Sequence, residues 1–158
     1  MRNFNPKLVI VLSLVVGLVS VATISATAEM NEGYWNQAST ILKDLSSDMT
    51  QLGNEATSYG NEDLSKSQTL EKANQHKENA LNLLKNMIRL NPTAPDSTFH
   101  AKMVNMVSNW YLAARLWQEG LKEGNKKKMG AVEPIVDVIK EEAKLFRNKA
   151  KGVSENNN

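Results

Sequence analysis

Residues 35–59, WNQASTILKDLSSDMTQLGNEATSY, decide the fold. Their apolar residues fall at Trp35, Ala38, Leu42, Leu45, Met49, Leu52, Ala56 and Tyr59, so the spacing alternates three and four from end to end. That period lays one apolar stripe along one face of a helix, and such a stripe is buried only against partner helices. Gly60-Asn61 supplies a stop. Gly53 lies inside the run and costs about 1 kcal/mol relative to Ala, which weakens it slightly.

The same seam recurs three times downstream. A second helix is expected from near Ser65, whose spacing to Gln68 fits a capping box, with Ala73, His76, Ala80, Leu83, Met87 and Leu90 on its seam. Pro92 and Pro95 end it, because proline disfavours helix in the residue before it. A third runs from about Ser97 to Glu123, capped by Asp96 or Ser97, with Phe99, Met103, Met106, Trp110, Ala113 and Trp117 in line. Gly124-Asn125 reverses the chain. The last seam is Met129, Val132, Val136, Ile139, Ala143, Phe146 and Ala150. Its alternation continues through Pro134, which reads as one kinked helix with the Gly130 carbonyl swung clear of the ring.

No run has the period-two alternation of a strand. The expected fold class is therefore all-α: an antiparallel up-down-up-down four-helix bundle over residues 29–151, with a disordered tail over 152–158. An extended helical hairpin that dimerises satisfies the same seams, so the oligomeric state stays open.

Residues 1–28 read as an address. Arg2 and Lys7 form a short basic region, and Leu8 to Ala22 follow without a charge. Ala26 and Ala28 occupy the small-x-small positions of a signal-peptidase site, so cleavage after Ala28 is the first reading. The second is an uncleaved membrane anchor over residues 8–28, a stretch long enough to span a bilayer. Both place the remainder outside the cytoplasm, secreted or periplasmic in one case and single-pass anchored in the other.

Charge narrows the partners. The chain holds 19 Lys+Arg and 17 Asp+Glu, and loss of Arg2 and Lys7 with the leader leaves 17 of each, a net charge of zero. Nucleic-acid binding needs a basic face that displaces counterions, and this total offers none. Residues 29–100 carry ten acids and six bases, residues 101–158 seven acids and eleven bases, so the halves are expected to attract each other in the fold.

The chemistry of cofactors and catalysis is sparse. With no Cys there is no disulfide, thiolate zinc site, iron–sulfur cluster or lipobox cysteine. With two His, neither in a Glu-x-x-His pair nor a His-Glu-x-x-His motif, a metal is not expected. No Gly-rich phosphate loop or nucleophile motif is present, so no cofactor and no enzymatic activity are expected. What remains is His76 on the second seam, beside a Met- and Trp-rich interior at Met103, Met106, Trp110 and Trp117. These five residues form the candidate site of an alternative reading, a small-ligand or haem-binding bundle, with His76 as an axial ligand.

The Pro95-Asp96-Ser97 opening of the third helix and the Glu123-Gly124-Asn125 turn before the fourth give a layout over Pro95 to Lys151 similar to the periplasmic four-helix b-type cytochromes. That family's haem-ligating His lies late in its last helix, where this chain offers Lys144, Phe146 and Lys149 instead. The resemblance therefore implies the fold and not the haem. The same loop and hairpin also resemble those of small extracytoplasmic helical proteins and lipoproteins of prokaryotes, families that imply no activity. The expected function is an exported, non-enzymatic bundle that binds a partner protein or a surface. Lys126-Lys127-Lys128 offers contact with anionic lipid if the bundle stays anchored.

Overall fold

The computed structural model describes residues 32–93 and 96–155, with side chains over 33–93 and 96–144. The signal or anchor segment at 1–28, the side chains of Phe146 and Ala150 and the last residues, 156–158, lie outside the described residues. All regular structure in the described residues is helical: α1 (Glu32–Gly60), α2 (Lys66–Arg89), α3 (Ser97–Glu123), the short α4 (Lys126–Gly130) and α5 (Val132–Glu155). The four long helices pack as a bundle. The closest approaches join α1 to α2, α2 to α3 and α3 to α5.

Each seam becomes one wall of a single core. From α1 it takes Tyr34, Ala38, Ile41, Leu45, Met49, Leu52, Ala56 and Tyr59, and from α2 Ala73, Ala80, Leu83 and Met87; the seam residues Trp35, Leu42 and Leu90 are only partly buried against it. From α3 come Met103, Met106, Val107, Trp110, Ala113, Ala114, Trp117 and Leu121, and from the last two helices Met129, Val132, Val136 and Ile139. The two largest fully buried side chains are Trp110 and Trp117 on α3. Truncating a buried ring of that size to Ala costs about 3–5 kcal/mol.

The helix ends follow local chemistry. Ser65 and Gln68 close the capping box at the start of α2, each side chain bonding to the other residue's backbone N–H. Gly124 takes a left-handed φ of 69° just past α3, and the Asn125 N–H reaches the Gly120 carbonyl at 2.8 Å. Asn125 then caps α4 by accepting from the Lys127 and Lys128 N–H groups. At Gly120 an added Cβ would stand 2.6 Å from Met129 Cγ and 3.0 Å from its backbone N, so only glycine lets α4 fold this closely onto α3.

Three local expectations change. The last seam is not one kinked helix: α4 ends at Gly130, and α5 begins at Val132 after Ala131 and runs on through Pro134. Pro134 thus falls in the first turn of α5, where a missing N–H leaves no intrahelical bond unmade. Asp96 does not cap α3 with its side chain. Its carboxylate is fully buried and taken by the Trp35 indole N–H at 3.0 Å and the Thr93 hydroxyl. Finally, α5 runs to Glu155, past the Gly152 position where the sequence reading begins a tail.

Candidate functional site

Two of the buried polar side chains, Asp48 and His76, meet where α1, α2 and α3 come together. Asp48 lies one position before the seam residue Met49, and its side chain enters the interface with only 6% of it exposed. Its Oδ1 lies 2.8 Å from His76 Nδ1 and accepts from Asn79 Nδ2 at 3.1 Å; its Oδ2 accepts from the Trp110 indole N–H at 2.8 Å. The other ring nitrogen of His76, Nε2, lies 3.0 Å from Glu55 Oε2, and Lys72 Nζ donates to Glu55 Oε1 at 3.1 Å. The chain Lys72–Glu55–His76–Asp48–Trp110 therefore ties α1 to both neighbours.

An imidazole facing a carboxylate at each nitrogen donates to both only when it is protonated. Burial alone would push its pKa down. The hydrogen bonds to Asp48 and Glu55, aided by the charges of both, outweigh that and raise His76 to about 9. Burial likewise works to raise the Glu55 carboxyl, but the bonds and charges of His76 and Lys72 hold it below its ordinary value. The result is a protonated histidine locked between two carboxylates.

Asp48 also forms part of the wall of a groove that opens to solvent between α1 and α2. The groove has a volume of about 300 Å³ and is bordered by Asp44, Ser47, Asp48 and Gln51 on one side and Asn79, Asn82, Leu83 and Asn86 on the other. Side-chain amides dominate it. Asp44 has no ion pair among the described residues.

Of the five residues singled out in the sequence, the structure brings two together. His76 and Trp110 both bond to Asp48, whereas Met103, Met106 and Trp117 are fully or almost fully buried parts of the apolar core. The residues do not fit a haem: both nitrogens of His76 are committed to carboxylates, and α5 contains no His. Among the described residues no group of three or more His, Asp or Glu side chains is arranged to hold a metal ion. Sequence reasoning passed over Asp48, Glu55 and Asn79. The signal was present as acids seven residues apart on the first helix, matched by Lys72, His76 and Asn79 at spacings of four and three on the second.

A second aromatic and polar cluster joins the start of α1 to the start of α3. The Tyr34 hydroxyl lies 3.1 Å from His100 Nδ1, and the Trp35 ring meets Phe99 edge-on. Burial, with a smaller contribution from the charge of Asp96, pushes Tyr34 up to about 12. His100 is half-buried here.

Among the described residues no helix is long and apolar enough to cross a membrane. No protein-family model, curated protein or solved structure matches the chain.

Proposed function

We propose that this chain is an exported, non-enzymatic binding module, an antiparallel up-down-up-down four-helix bundle that engages a partner protein through the groove between α1 and α2. The observation that carries the reading is that groove, open to solvent and bordered by the amides of Gln51, Asn79, Asn82 and Asn86, with Asp48 in its wall held from behind by His76. The bonds to Asp48 hold that carboxylate and the Asn79 amide in place before any partner arrives, which lowers the ordering cost for those two groups. The alternating direction is supported by the order of the pairings. Glu55 meets Lys72 while Asp48 meets Asn79, so numbering rises on α1 as it falls on α2. Asn105 with Glu142 and Gly120 beside Met129 give the same sense for α3 and the last two helices.

Export rests on residues 1–28, with their basic start, uncharged run and Ala26-Thr27-Ala28 ending. The intact mass of the native protein, recovered separately from membranes and from the extracytoplasmic soluble fraction, distinguishes a chain beginning at Glu29 from one that keeps its leader. A photo-crosslinking residue in place of Asn82, within the groove, is expected to give a discrete protein adduct in cells that make this chain. The same residue in place of Lys127, at the far end of the bundle, gives none. Adducts from Lys127 alone would defeat the reading.

A further inference from the structure

We infer that the groove between α1 and α2 takes an extended peptide segment carrying a basic side chain, an inference that rests on this groove being the binding surface proposed above. Asn79, Asn82 and Asn86 follow one another at spacings of three and four along one face of α2 and border the groove. From Asn79 to Asn86 the axis advances roughly 10 Å, the length of about three residues of extended chain. A carboxamide carries an acceptor and two donors, the complement of the C=O and N–H that a peptide group presents, and among the described residues only Asn79 of the three has spent one donor, on Asp48. Gln51 and Ser47 supply the same chemistry from the α1 side.

Charge selects the side chain. The Asp48 carboxylate is already taken by His76, Asn79 and Trp110, which leaves Asp44 as the open charge of the lining. An ammonium or guanidinium group complements it, and its methylene stem can lie along Leu83, the one apolar residue in the lining. Shape selects the polymer. The groove opens to solvent and is not an enclosed cavity, so it can take part of a longer chain. No aromatic ring lines it, so a sugar finds no face on which to stack.

The test pans the full-length chain, held on beads in mild non-ionic detergent, against a random dodecapeptide phage library. The expected result is enrichment of peptides that share a Lys or Arg. Their affinity should fall about tenfold on Asp44→Asn and by a similar factor on the double change Asn82→Ala with Asn86→Ala. All three positions are exposed, and circular dichroism checks that each variant keeps its fold. Absence of enrichment, or enriched peptides without a basic residue, overturns the inference. If the Asn82 crosslinker still captures a protein in cells in that case, the groove remains the binding surface and only the ligand class is wrong. Basic peptides whose binding ignores all three substitutions bind elsewhere and overturn the inference, and the groove as a partner surface then falls as well only if the Asn82 crosslinker gives no adduct.

Discussion

Asp48 accepts from His76, Asn79 and Trp110, so removing its side chain leaves the buried imidazolium and the buried indole N–H without that acceptor. Breaking a buried charge pair from one side costs several kcal/mol, because the remaining charge keeps its desolvation penalty. Asp48→Ala is expected to lower the unfolding free energy by about 3 kcal/mol in urea titration. Asp48→Asn should lose less, since its amide oxygen still accepts one bond. The pH dependence has a definite sign. His76 titrates at 6.5 as a free side chain and at about 9 in the fold, so its contribution is complete below about pH 6.5 and is lost as pH rises through 9. A shift of that size corresponds to about 3 kcal/mol. The urea midpoint of the native chain should therefore fall between pH 7 and 9, while that of His76→Gln stays flatter over the same range. Equal slopes would mean that His76 is not charged in the fold. None of this was visible from one helix at a time, because Asp48 lies beside the first seam and not on it. Its partners lie 28, 31 and 62 residues away, a distance that local spacing does not report.

At the scale of the element, the legible features were those decided within a few residues. The three-four seams gave α1, α2 and α3 because burial of a stripe is a property of the helix itself. The Ser65–Gln68 box and the Gly124 reversal followed from side chains bonding to their own neighbouring backbone. Asp96 and Pro134 were misread for the opposite reason. Asp96 is claimed by Trp35 of another helix, and the break before Pro134 depends on α4 folding against α3. That second packing rests on Gly120. Gly120→Ala places a methyl group within 3.0 Å of the Met129 backbone N, which a side-chain rotation cannot relieve. The expected cost is about 1–3 kcal/mol, read as a lower urea midpoint. Gly130→Ala is the control, since nothing stands within 4 Å of the added carbon, and it should not lower the midpoint.

At the scale of the whole molecule, the ion pairs of the described residues do not join the acidic first half to the basic second half as their charges led one to expect. Glu55 pairs with Lys72 and with His76 inside the first half, while Lys128 pairs with Glu119 and Glu123 inside the second. The charge of Lys77 does reach across, helping to hold the Glu119 carboxyl down after the larger effects of Lys128 and Arg115. This placement has a consequence for the lysine triplet. Lys126, Lys127 and Lys128 follow the Gly124 turn, at the end where Tyr59 meets Trp117 and Lys66 reaches the Lys122 carbonyl. The start of α1 lies at the opposite end, where Tyr34 meets His100. The 29 residues of α1 separate the two ends by roughly 44 Å, against a screening length of about 8 Å at physiological salt. If residues 8–28 hold the chain in a membrane and α1 stands upright on that surface, the triplet lies too far away to feel its charge, and Lys128 is already paired with two carboxylates. Flotation of the full-length chain with phosphatidylcholine–phosphatidylglycerol vesicles should then be unchanged by replacing all three lysines with Ala, and abolished by deleting residues 1–28. If the triple substitution releases the protein while the leader is intact, the lysine end and not the leader end faces the lipid.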